Sequence, residues 1–248
     1  MCIRDRSEST TLLQESNVPL VQSLTMQPAS VDALYQDCFY DSFYENTVFI
    51  GDSISVGFAN YCQYNSDSIA SESTYFLAKE SCAAYIVTSE LALTKYADKM
   101  PSYQGTLQYI EDSVAQMPDL EKVIICYGIN DLVGSSPEEY IIDMTTLIDR
   151  ILSKSPNLSI YIISIPCITE TATAGYLCNN SIQAANQLLE TTCTEQGWGF
   201  INLTEYLMNE NLAICTEYSS DNYVHQNNIA YQVWTKVLRN YAYMHTKE

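Results

Sequence analysis

From residue 47 onward, short apolar runs alternate with amphipathic stretches. Thr47–Ile50 (TVFI), Thr74–Ala78 (TYFLA), Lys122–Cys126 (KVIIC), Leu158–Ile165 and Gly199–Asn202 are brief and rich in β-branched and aromatic side chains. Such runs predict buried strands. Between them, apolar positions recur at helical spacing: through Tyr61, near Ala83–Leu93, over Thr106–Met117 with Leu107, Ile110 and Val114 on one face, and over Ser136–Ser153, Asn179–Gln196 and Asn227–Tyr243. Ser136, Pro137 and Glu139 form a capping-box start, and Gly197 is placed to end the helix before it. Strands separated by helices of this length pair in parallel, because a parallel connection needs a long crossover. The pattern therefore predicts an α/β fold: a three-layer α/β/α sandwich around a central parallel sheet of about five strands. Reactive groups in such folds collect at the carboxyl ends of the strands.

Residues 1–45 lack this rhythm. They are rich in Ser, Thr, Gln and acidic residues and read as a leader or linker, loosely packed, with a short helix near Val31–Tyr40. The folded domain is expected over residues 46–248. Met1–Arg6 read as foreign to the rest of the chain, the kind of stretch that adapter sequence leaves at the start of a gene. A truncated start, with which a signal peptide can have been lost, and the polar leader together favour an extracytoplasmic location.

Composition narrows the class. Apolar residues make up 47% and charged residues 17% of 248, which suits a globular enzyme. No apolar stretch approaches the roughly 20 residues of a membrane span. The formal charge of −19 disfavours nucleic-acid and anionic-lipid surfaces as partners. Nine cysteines are dispersed without a CxxC pair and only two histidines are present, so neither a metal nor another cofactor is implied and the thiols are expected to be mostly free.

Three segments at predicted strand ends can carry chemistry. Gly51-Asp52-Ser53 follows the first strand, Tyr127-Gly128-Ile129-Asn130-Asp131 the third, and Asp221-Asn222-Tyr223-Val224-His225 precedes the last helix. A serine at a strand-to-helix turn sits where helix amides favour developing negative charge. Taken alone, Ser53 reads more readily as a helix N-cap, and Ser55 stands where a GxSxG elbow would need its second glycine. A serine nucleophile needs a base. His245 lies in the terminal tail, so the idea depends on His225, beside acidic Asp221. Asn130 can donate to an oxyanion, or it can hold a turn. Cys126, with its apolar flank, reads as a buried thiol rather than a nucleophile.

The ordered set Val48-Phe49-Ile50-Gly51-Asp52-Ser53, Tyr127-Gly128-Ile129-Asn130-Asp131 and Asp221…His225 resembles the SGNH (GDSL-type) hydrolase superfamily from Thr47 to the C-terminus. The resemblance implies a flavodoxin-like sandwich and a serine esterase or acylhydrolase. Ser53 would be the nucleophile, His225 the base and Asp221 its orienting acid. The oxyanion hole would combine the Ser53 amide, the Asn130 side chain and one amide of the loop after the second strand, assigned to Ser81. Asp52, Asp131 and Gly128 would support their turns. Two departures stand out. The family's acid usually lies three residues before the histidine, where this chain has Asn222, so Asp221 requires one extra residue in the loop. The second block usually carries a glycine, and Ala78-Lys79-Glu80-Ser81-Cys82 has none.

The expected substrate is an ester of a small molecule or polysaccharide, with a short acyl group on a carbohydrate or other polar alcohol, since no long apolar lid is visible. A histidine base predicts activity that falls as the pH drops through roughly 6 to 7. The alternatives are a catalytically silent carbohydrate-binding or surface protein and an O-acyltransferase. Oligomeric state is not legible.

Overall fold

The computed structural model describes residues 26–34 and 40–246. Strands β1 (Thr47–Gly51), β2 (Thr74–Ala78), β5 (Lys122–Cys126), β6 (Ser159–Ile163) and β7 (Gly199–Ile201) form one parallel sheet in the order β2-β1-β5-β6-β7. A separate hairpin is made by β3 (Ser102–Tyr103) and β4 (Thr106–Leu107). After their first residues, Thr47 and Lys122, β1 and β5 carry no polar side chain because both faces are covered, and Val48, Ile50, Val123, Ile124 and Ile125 are fully buried. Helix α1 (Ser53–Tyr64) packs with α6 (Asn228–His245). Helix α4 (Pro137–Lys154) packs with the short α2 (Ala84–Val87), with α3 (Ile110–Val114) and with α5 (Asn179–Gln196). Two helical layers thus enclose the sheet, as the alternating pattern predicts. The first connection leads from β1 out to β2 and the next returns to β5 on the other side, so the order reverses between β1 and β5. That crevice is where open parallel sheets place ligands.

The capping signals hold in detail. Ser136 Oγ accepts from the Glu139 amide at 3.3 Å, and Glu139 Oε2 accepts from the Ser136 amide at 2.8 Å. Gly197, at φ 71°, ends α5 in the left-handed conformation.

Two helices predicted within residues 46–248 are corrected. The helix expected over Thr106–Met117 is split: its start belongs to the β3–β4 hairpin, and only Ile110–Val114 is helical. Gln104 and Gly105, both at positive φ, make the two-residue turn of that hairpin. Leu107 is therefore exposed, while Ile110 and Val114 still face the core. The helix expected near Ala83–Leu93 stops at Val87. Ser89 Oγ accepts from the Leu91 amide, a local bond that competes with helix continuation.

Of the residues assigned to a leader, 26–34 and 40–45 contact the domain. Met26 and Leu34 are buried, and the Ala29 amide donates to the Glu205 carbonyl at 2.8 Å. Tyr44 is fully buried and donates to the Leu238 carbonyl at 2.6 Å. Asp41 receives both Nε and Nη2 of Arg239, whose Nη1 also meets Asp67. The helix expected near Val31–Tyr40 is a single 3-10 turn at Val31–Ala33, and residues 35–39 lie outside the described residues.

Candidate active site

The carboxyl end of β1 passes straight into α1. Gly51 is required there by space: a Cβ on it would lie 2.0 Å from Ser55 Oγ and 2.6 Å from the Cys126 carbonyl oxygen. Asp52, not Ser53, is the N-cap, with Oδ1 accepting from the Ile54 amide at 2.9 Å. Because Asp52 already caps the helix, the Ser53 hydroxyl is released from that duty. Ser53 is the first helical residue, so its own amide belongs to the first-turn donors that no helix carbonyl can satisfy.

His225 meets that hydroxyl across the crevice. Its Nε2 lies 3.1 Å from Ser53 Oγ, and its Nδ1 lies 2.6 Å from Asp221 Oδ2. Asp221 Oδ1 also accepts from the amides of Tyr223 at 2.8 Å and His225 at 3.1 Å. The four-residue spacing closes because Asn222 adopts φ 55°, a left-handed conformation that asparagine tolerates better than most residues. Asn222 offers only its backbone to this arrangement, its carbonyl accepting from Thr169 Oγ1 at 3.1 Å. The loop is pinned further by the Thr169 amide on the Tyr223 carbonyl and the Ser220 amide on the His225 carbonyl. Burial raises the Asp221 carboxyl, but the hydrogen bond from His225 and the two amides outweigh it and leave the group below its ordinary value. His245 ends α6, stacked on Tyr241, and takes no part.

Asn130, at the end of β5, is half-buried and directs Nδ2 to the Cys82 carbonyl at 2.9 Å. An amide nitrogen carries two hydrogens, so one remains for another acceptor. Gly128 precedes it at φ 134°, and a Cβ there would lie 2.4 Å from Ile165 Cγ1. Ser81 is exposed at φ 60°, so this loop makes the left-handed bend that favours glycine without having one. Cys126 is buried, and burial pushes its thiol well above the ordinary range, as expected of an inert residue.

The family resemblance implies that Asp131 supports its own turn. The structure instead sends Oδ1 across to the Tyr85 amide at 3.1 Å, while Oδ2 is buried with no partner among the described residues. The signal was present but faint: Ala83, just before α2, has no side chain that can cap that helix. Asp52 and Asp131 are both buried. Desolvation raises each carboxyl to about 7, and the negative charge of Asp52 adds to the rise at Asp131. Among the described residues, no group of three or more His, Cys, Asp or Glu side chains is placed to hold a metal ion, and no helix is long and apolar enough to cross a membrane.

Residues 49–233 match the model of the GDSL-like Lipase/Acylhydrolase family. No curated protein sequence matches the chain. Several solved structures are similar. A Streptococcus pneumonia protein named for platelet activating factor aligns with a TM-score of 0.60 at 18% identity, over 82% of this chain and 89% of its own. A GDSL-like lipase from Bacteroides thetaiotaomicron gives 0.57 at 15%, over 86% and 94%. A carbohydrate esterase family 3 structure from Talaromyces cellulolyticus gives 0.52 at 12%, over 81% and 98%.

Proposed function

Because the chain belongs to the GDSL-like lipase/acylhydrolase family, we propose that it is a serine hydrolase that cleaves carboxylic esters through an acyl-enzyme on Ser53. The observation that carries this reading is His225 standing between Ser53 Oγ at 3.1 Å and Asp221 Oδ2 at 2.6 Å. Those distances suit a base that takes a proton from the nucleophile while a carboxylate holds its tautomer.

In the proposed reaction, Ser53 Oγ attacks the ester carbonyl carbon as His225 Nε2 takes its proton. The resulting imidazolium is stabilised by Asp221, and the carbonyl electron pair moves onto oxygen. That oxyanion lies at the start of α1, where the Ser53 amide, the second hydrogen of Asn130 Nδ2 and the Ser81 amide can donate to it. Collapse of the intermediate expels the alkoxide, which takes the proton from His225. Water then repeats the sequence on the acyl-enzyme, with His225 again as base, and returns Ser53 and a carboxylic acid. The left-handed Asn222, with which Asp221 reaches His225 despite the longer spacing, supports this reading over a silent member.

The substrate is proposed to be a short acyl ester of a carbohydrate or similar polar alcohol. Tyr223, two residues from His225 and 41% exposed, offers an aromatic face suited to a sugar ring. A carbohydrate esterase is among the similar structures. The test is hydrolysis of p-nitrophenyl acetate by wild type, Ser53→Ala and His225→Ala, with a fluorophosphonate probe of Ser53. Loss of turnover in both folded variants and probe labelling of Ser53 alone support the mechanism, whereas an unlabelled, inert wild type removes it. Comparable turnover of acetyl and long-chain esters would remove the short-acyl preference.

A further inference from the structure

Adjacent residues at the end of β5 hold both ends of one short segment. Asn130 Nδ2 donates to the Cys82 carbonyl at 2.9 Å, and Asp131 Oδ1 accepts from the Tyr85 amide at 3.1 Å. Helix α2 begins within that segment. Its N-cap, Ala83, makes no side-chain cap bond, so Asp131 supplies from the turn after β5 the acceptor that residue 83 lacks. Ser81 directly precedes the segment in a left-handed conformation without glycine's freedom. A strained backbone of this kind persists only where its surroundings hold it. The local ties are few: the Cys82 amide to the Lys79 carbonyl at 3.2 Å, the Lys79 amide to the Gly51 carbonyl at 3.1 Å, and Cys82 Sγ beside Tyr127 Oη at 3.3 Å.

Asp131 is an expensive way to make one such tie. The residue is fully buried and its second oxygen has no partner among the described residues. A purely structural cap could be a serine on the loop itself. A cap from β5 does something that a local one cannot, because it ties the second loop to the strand end that carries Asn130.

We propose that Asp131 is a positioning residue for the oxyanion hole: its carboxyl group docks the Cys82–Tyr85 segment on the end of β5 and so fixes the Ser81 amide relative to the Asn130 side chain before substrate arrives. This inference rests on the esterase reading above. Preorganised donors stabilise the transition state more than the bound ester, so their loosening lowers kcat and leaves KM nearly unchanged.

The experiment compares Asp131→Ala and Asp131→Asn in the full chain, by steady-state hydrolysis of p-nitrophenyl acetate and by hydrogen exchange over residues 79–88. Asp131→Leu, which fills the site without an acceptor, replaces the alanine variant if that one does not fold. Loss of the acceptor is expected to lower kcat by about 100-fold, as for removal of one oxyanion donor, with KM within about twofold. Exchange should quicken in residues 82–88 and not in β1 or β5. Asparagine keeps an acceptor oxygen at the same place, and it should restore both kcat and protection. Unchanged exchange over 82–88, or exchange that quickens uniformly along the chain, would overturn the proposal. So would an asparagine variant as impaired as alanine. An inert wild type removes the esterase reading by itself, while the exchange comparison still decides whether Asp131 anchors the loop.

Discussion

His225 Nδ1 and Asp221 Oδ2 lie 2.6 Å apart although the two residues are four apart in sequence, and the left-handed Asn222 between them absorbs the added length. The carboxylate also takes two amides of its own loop, so one side chain both bonds the imidazole and shapes the turn that presents it. A loop organised around one side chain transmits damage at that side chain to the imidazole it holds. Substitutions at Asp221 and at Asn222 should therefore both be felt at His225.

Asp221→Asn should lower kcat on p-nitrophenyl acetate by on the order of 10²–10⁴, because an amide can hold the imidazole in the wrong tautomer. Ser53→Ala and His225→Ala should cost more, each on the order of 10⁴ or greater. The double variant Ser53→Ala/Asp221→Asn should be no slower than Ser53→Ala, since the residues act as a unit. Additive losses in steady-state assays would count against a shared mechanism.

Asn222→Gly should keep nearly full activity, because glycine adopts positive φ readily. Asn222→Val should lower kcat by about tenfold or more through a displaced His225, since a β-branched residue is poorly accommodated at φ 55°. Equal kcat values for the two variants would show that the bend does not position the base.

Gly128→Ala should destabilise the fold by about 2–4 kcal/mol, combining overpacking with backbone strain. The added methyl meets Ile165 Cγ1 at 2.4 Å, and φ is 134°. Urea unfolding measures this. Gly128→Ala/Ile165→Ala, which removes Cγ1, Cγ2 and Cδ1 of Ile165, should recover only the steric share relative to Ile165→Ala alone, and full recovery would mean that the backbone angle costs nothing.

The buried carboxyls make stability depend on pH in an unusual direction. Burial raises Asp52 and Asp131 from 3.8 to about 7, so in the folded chain they bind protons more tightly than when unfolded. Their contribution is present at low pH and lost as pH rises from about 4 through about 7. Asp221 works the other way: its lowered value adds stability above about 4 that is lost on acidification. Between about pH 5.5 and 8 the buried pair dominates, and stability should fall by about 2 kcal/mol per group. Asp52→Asn keeps a good cap and, because it also removes the charge that adds to the rise at Asp131, should remove more than half of that slope in urea midpoints measured across this range. A midpoint that rises with pH in wild type would refute the assignment.

The three reactive segments were legible because each lies within a few residues of a strand end or a helix start, and those boundaries are marked by local apolar runs. Ser53 and its N-cap alternative were separated only by the structure, which gives the capping role to Asp52. Thr106–Met117 was misread because Leu107, Ile110 and Val114 fit a helical face, while the Gln104-Gly105 turn outweighs that spacing. The reach of Asp131 to Tyr85 was also hidden, since the two residues are 46 apart and no local periodicity links them.

By itself, then, the chain determined the five parallel strands and the long helices, the capping box of α4, the end of α5 at Gly197 and the candidates for nucleophile and base, because these depend on local propensity, side-chain period and connection length. Tertiary structure decided whether Asp221 could reach His225, which backbone bends replace the missing glycine, and where Asp131 points. Those are distances between groups that local pattern does not relate. They depend on how β1, β5 and the loop before α6 are brought together around one crevice, which packing of the sheet and helices sets and no single segment encodes.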